Sequence, residues 1–193
     1  MFPVEYGIAS AEQAEKVFST ELSPPIVTDY GPRVGDMGVG DIAWVYNRWN
    51  MVHALYNYGR SEQAFELLKK FVAQESGSDC HYQGPEAYTP EGATTSQGLV
   101  WSSCRAMRAI YFGLIGLSLE GEGVRFKPKP PSNWPGFTLR NLEVRGGVID
   151  LTVNRGSKAE ATCDGKPIVD GLVPNSMLTP GSHKVVLTMA TPR

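Results

Sequence analysis

Residues 42–58 and 100–117 constrain this fold more than any other stretch, because each carries apolar or aromatic side chains on every side of a helix. In the first, Trp44, Val45, Tyr46, Trp49, Met51, Val52, Leu55 and Tyr56 cannot share one stripe; in the second, Trp101, Cys104, Met107, Ile110, Tyr111, Phe112, Leu114 and Ile115 repeat the pattern. A helix of that kind is buried nearly all round. The helices before each are one-sided. Ser10 and Gln13 form a capping box that starts a helix at Ala11, with Ala11, Ala14, Val17 and Phe18 on one stripe. Asp41, after the glycine-rich loop 30–40, is the N-cap candidate for the first apolar helix, and Gly59 is its C′ stop. Ser61 then caps a helix with Phe65, Leu68, Phe71 and Val72 on one face.

The order outer, inner, outer, inner predicts two concentric layers of helical hairpins. Two hairpins alone cannot hide two such inner helices, since a monomer tolerates an apolar patch of only ~300–600 Å². Further N-terminal hairpins, a second chain or self-association are therefore expected to cover them. Beyond Gly121 the period becomes two: residues 124–126, 137–144, 148–153, 159–163 and 184–189 read as short strands. Gly146-Gly147 and Asp164-Gly165 are hairpin signals, and Pro180-Gly181 suits a type II turn. The fold class expected is α+β, with helical hairpins over 1–118 and a small antiparallel β domain over 119–193.

Composition narrows the function classes. With 41% hydrophobic and 20% charged residues in 193, the chain can bury a core. At a net charge of −2, with no basic run longer than Lys69-Lys70, neither nucleic acid nor an anionic membrane is an expected partner. The longest apolar run, residues 110–117, is too short to span a bilayer, and Met1-Phe2-Pro3-Val4-Glu5 lacks the marks of a secretory signal. Cys80, Cys104 and Cys163 form no CxxC, which favours a reducing compartment and weakly the cytoplasm. No cofactor is expected, and His53 and His81, unpaired with other ligand types, predict no metal site.

The chemistry is expected on a loop. Pro85, Pro90, Gly84, Gly92 and Gly98 forbid a regular element through Gly84-Pro85-Glu86-Ala87-Tyr88-Thr89-Pro90-Glu91-Gly92, so Glu86 precedes a helix on a constrained loop. This segment, followed by Gly98-Leu99-Val100-Trp101-Ser102, resembles the motif before the last inner helix of six-hairpin (α/α toroid) glycosidases: glucoamylases, trehalases, processing α-glucosidases and bacterial glycogen-debranching-like glucosidases. Phe2-Pro3-Val4-Glu5-Tyr6-Gly7-Ile8-Ala9-Ser10 looks like the opening of a late hairpin in those proteins. Gly123-Val124-Arg125-Phe126-Lys127-Pro128 and Pro131-Ser132-Asn133-Trp134 look like their junction into a C-terminal β domain, a junction shared with disaccharide phosphorylases. The resemblance implies the C-terminal part of an incomplete (α/α)6 toroid, present as a fragment, a subunit of a split enzyme or an inactive remnant.

It also implies that Glu86 is the general base of an inverting hydrolysis of an α-glucoside or related oligosaccharide, with the general acid on an earlier hairpin. Such a pair needs carboxyl groups ~6.5–9.5 Å apart. An exposed, solvated loop glutamate is the alternative. Trp44, Tyr88 and Trp101 stand where sugar platforms would, with packing the alternative for each; Asp41 resembles a sugar-contacting residue but also reads as a helix cap. Arg48, Arg105 and Arg108 lie on apolar helices and need partners, from missing hairpins or from Asp41 and Glu86. An Arg105 beside Glu86 would keep that base ionised. Two further readings stay open: a phosphorylase whose phosphate is cradled by Thr94-Thr95-Ser96, and a non-catalytic carbohydrate-binding or assembly module.

Overall fold

The structure, a computed structural model, describes residues 2–24, 26–33, 42–76, 87–93 and 100–191. The fold class is α+β. Contacts divide the chain into two compact units, Met1–Leu114 and Ile115–Arg193.

The helical unit begins with α1 (Phe2–Glu5) and α2 (Ala11–Glu21). The Ser10 hydroxyl accepts from the Gln13 N–H and the Gln13 amide oxygen accepts from the Ser10 N–H, so the capping box forms as the spacing predicts. Two two-residue strands, β1 (Val27–Thr28) and β2 (Gly31–Pro32), pair antiparallel. Next come β3 (Ala43–Trp44) and α3 (Val45–Asn57). The helix therefore starts three residues later than the apolar pattern predicts, and Trp44, not Asp41, is the N-cap. The reason is tertiary: the backbone of Ala43 and Trp44 pairs with a strand from much later in the chain. Asp41 itself lies outside the described residues.

Within α3, residues 47–57 are buried except for Asn47 and Asn57, as all-round apolarity requires. It ends in a Schellman motif: Gly59, at φ +75°, donates to the Tyr56 carbonyl, and Arg60 donates to that of Leu55. Ser61 is the first residue of α4 (Ser61–Ser76) rather than its cap. Ala64, Phe65, Leu68 and Phe71 form the buried face, while Val72 is exposed. Two short strands follow, β4 (Ala87–Thr89) and β5 (Gly92–Ala93), with β4 between β3 and β5.

The last helix departs from expectation. α5 (Val100–Arg108) gives way to a π-helical segment, Ala109–Leu114, and the chain then enters a strand, so the helix does not reach residue 117. Only part of it is buried: Met107 and Phe112 are 48% and 41% exposed. Gly113 is where the π segment meets α3, since a Cβ there would lie 2.6 Å from a Tyr56 ring carbon.

In the second unit the strands are β6 (Leu117–Glu120), β7 (Gly123–Phe126), β8 (Gly136–Val144), β9 (Gly147–Gly156), β10 (Glu160–Cys163), β11 (Lys166–Pro167), β12 (Leu172–Pro174) and β13 (Gly181–Ala190). They form a five-stranded sheet ordered β11-β10-β13-β9-β8 and a three-stranded sheet ordered β12-β7-β6. All pairings are antiparallel except β9 with β13, which run parallel over their whole length. Alternation works as in a half-buried sheet: Ile149, Leu151 and Val153 of β9 and Val185 and Leu187 of β13 point inward. The β8–β9 turn is Arg145-Gly146, one residue earlier than expected, with both residues at positive φ; Asp164-Gly165 makes the same turn between β10 and β11. Gly181, at φ +131°, opens β13.

Candidate functional site

Strand pairing brings two of the expected site residues together. Ala87, the residue after Glu86, stands directly opposite Trp44 in the β3–β4 ladder, and Tyr88 stands opposite Ala43. Trp44 is half-buried. Tyr88 is only 4% exposed, with its ring over the Arg48 guanidinium at 4.2 Å, so its described environment is that of a packed core aromatic. Glu86 and the hydroxyl run 94–96 lie outside the described residues. Trp101 is the second residue of α5, and its side chain also lies outside the described part.

Arg48, fully buried on α3, is flanked by two rings: its guanidinium carbon lies 4.2 Å from the centroid of Phe71 and 4.2 Å from that of Tyr88. Nη2 donates to the Gln74 amide oxygen at 2.5 Å. Burial lowers the Arg48 pKa, opposed by the charge of Glu75. Burial likewise raises that of Glu75, opposed by Arg48 and by the hydrogen bond from Trp49 Nε1 at 3.0 Å. The cation expected to find partners on missing hairpins or in Asp41 and Glu86 has, among the described residues, Gln74 and Phe71 of α4 and Tyr88 of β4 against it.

Arg105 and Arg108 have a partner that is not among those expected. Arg105 Nη1 donates to Glu5 Oε1 at 2.9 Å and to Asn50 Oδ1 at 3.1 Å; Arg108 Nη1 lies 3.3 Å from the same Glu5 oxygen and donates to the Tyr6 hydroxyl at 2.9 Å. Glu5, wholly buried at the end of α1, is the carboxylate these cations surround, with His53 Nδ1 at 3.7 Å. Burial pushes the Glu5 pKa up, but His53, Arg108 and Arg105 together outweigh it and hold the carboxyl below its ordinary value. Sequence reasoning missed Glu5 as a partner because it stands 100 residues from Arg105. Its position at the end of a short apolar run, Phe2-Pro3-Val4, was the available signal.

Among the described residues one group has metal-like composition. Cys163, Asp164 and His183 hold ligand atoms within 4.8 Å of one another. Both His183 ring nitrogens are engaged, Nδ1 with Asp164 Oδ2 and Nε2 with the Thr179 carbonyl, each at 2.8 Å. Two acceptors call for two N–H groups, and an imidazolium has no lone pair for an ion.

No family model matches the chain. It is 28% identical over 189 residues to the cellobionic acid phosphorylase of Neurospora crassa, covering 81% of this chain and 24% of the phosphorylase. It is 27% identical over 185 residues to the cyclic beta-(1,2)-glucan synthase NdvB of Rhizobium meliloti, covering 88% of this chain and 6% of the synthase. The chain is a distant relative of carbohydrate-active proteins. It spans about a quarter of the first relative's length and a far smaller part of the second's. Each match extends over parts of both structural units, since neither unit alone holds four-fifths of the residues.

Proposed function

We propose that this chain is the C-terminal portion of an enzyme that hydrolyses a glycosidic bond of an oligosaccharide with inversion, Glu86 acting as general base. In this reading Glu86 takes a proton from a water attacking the anomeric carbon. A carboxylic acid on another hairpin protonates the departing oxygen. The observation that carries the reading is the fixing of the residues directly after Glu86: Ala87 is paired with Trp44, and Tyr88 is stacked on buried Arg48. A base must be held within hydrogen-bond reach of its water, which a segment tied down from its next residue onward favours. Trp44, half-buried and opposite Ala87, is the platform for the sugar's apolar face, and Trp101 and Asp41 are further contacts in the same pocket.

Further hairpins of an α/α toroid complete the pocket. In support, Phe2, Tyr6, Met107 and Phe112 are exposed by 52%, 51%, 48% and 41%. Exposed large apolar side chains are what a covering element would bury.

Similarity to cellobionic acid phosphorylase favours a second reading, phosphorolysis, in which phosphate takes the place of the activated water and Thr94-Thr95-Ser96 receives it. A carboxylate at Glu86 counts against it by repelling that anion. The full-length enzyme, incubated with α- and β-linked disaccharides with and without phosphate, separates the two. Free sugar released without phosphate supports hydrolysis, and Glu86→Gln should then lower kcat by ~10²–10⁴-fold. A strict phosphate requirement with sugar phosphate as product supports the second reading. Sugar binding without turnover under any condition refutes both and leaves a carbohydrate-binding module.

A further inference from the structure

Arg48 is an unusual choice for the centre of a helical core. It is fully buried, and its Nε and Nη1 have no hydrogen-bond partner among the described residues. Burying an ionised group in this way costs stability that an apolar side chain of similar volume would not. A core selected for stability alone would place Met or Leu here. Its neighbours are shaped around it all the same: a Cβ at Gly31 of β2 would lie 2.6 Å from Arg48 Cγ, so only glycine lets the stem pass.

What a guanidinium offers that an apolar chain does not is a rigid, flat cation with two stacking faces and an edge of donors. Phe71 of α4 and Tyr88 of β4 each have the guanidinium carbon 4.2 Å from the ring centroid, and Nη2 donates to Gln74 of α4. A single side chain of α3 thereby ties the outer helix α4 to the strand that begins one residue after Glu86. The same strand supplies Ala87, the rung opposite Trp44.

We propose that Arg48 is a positioning residue: by clamping Tyr88 it fixes β4, the strand that follows Glu86 in the chain and pairs with Trp44, a role that rests on the glycosidase reading above. Lys keeps the charge but loses the planar group that the two rings pack against. In the full-length enzyme, Arg48→Lys should therefore lower kcat by ~10–100-fold, the scale of an ångström-sized misplacement, with KM changed by no more than about twofold. Phe71→Leu, which removes one ring only, should lower kcat in the same direction by less. Hydrogen exchange provides the readout that catalysis does not: in Arg48→Lys the amides of β4 should exchange faster while those of α3 stay protected. Wild-type kcat in a folded Arg48→Lys enzyme overturns the proposal. So does loss of protection in α3 together with β4, which would make Arg48 a support of the whole unit. Failure of the wild-type enzyme to release sugar at all would instead refute the functional reading, and the exchange experiment would still decide whether Arg48 clamps β4.

Discussion

Glu5 decides the electrostatics of the helical unit at the level of single residues. Two arginines and a histidine converge on its Oε1, and removing its charge would leave Arg105 and Arg108 facing each other uncompensated. Glu5→Gln should destabilise the helical unit by about 2–3 kcal/mol, below the full cost of breaking a buried pair because the two arginines are partly solvated. The shift of the urea midpoint measures it. Since the folded state holds the Glu5 carboxyl below its ordinary value of 4.5, its stabilisation is complete above that pH and is lost as pH falls through the lowered value. Acid unfolding of the wild type should show this loss, and Glu5→Gln should flatten that part of the profile. At this scale the sequence exposed what is local and hid what is distant. Ser10 and Gln13 announce their capping box from three residues apart, whereas nothing near Arg105 in the chain points to Glu5.

Secondary elements show where packing overrode periodicity. Residues 43 and 44 carry the same apolar character as the helix after them, yet they form β3 because β4 offers their backbone a ladder. The π segment was equally invisible in the pattern, and Gly113 gives its packing reason. Gly113→Ala would drive a methyl into the Tyr56 ring, and overpacking of that kind should cost about 1–3 kcal/mol, read as a lower urea midpoint for the helical unit. In the β unit, the β10–β11 turn is held to β13 by His183 and by the Lys184 N–H, both on Asp164. Asp164 and Thr179 raise the His183 pKa above its ordinary 6.5, and His183 and Lys184 lower that of Asp164 below 3.8. The histidine's contribution is complete below 6.5 and is lost as pH rises through its raised value. The aspartate's contribution is complete above 3.8 and is lost as pH falls through its lowered value. The β unit should thus be most stable between about pH 4 and 6.5, and Asp164→Asn should remove the decline on the alkaline side in thermal melts run across pH.

Taken whole, the molecule has two units with separate cores, one helical around α3 and one of two sheets around β9 and β13. A polypeptide of residues 115–193 should therefore fold alone, giving dispersed amide resonances and a cooperative urea transition. A molten spectrum would show that its core depends on the rest of the chain. The sequence by itself determined the α+β class, the alternation of one-sided and all-round apolar patterns, five of the eight strands of the second unit, the Ser10 capping box and the Gly59 stop, because each is written in residues a few positions apart. Tertiary structure alone decided that Arg48 clamps Tyr88, that Glu5 gathers the cations of α5, that β3 leaves the helix and that β9 and β13 run parallel. Those outcomes depend on which distant groups meet once the chain is compact. Periodicity carries no record of such meetings, since an arginine or an apolar residue reads the same whichever partner it finds.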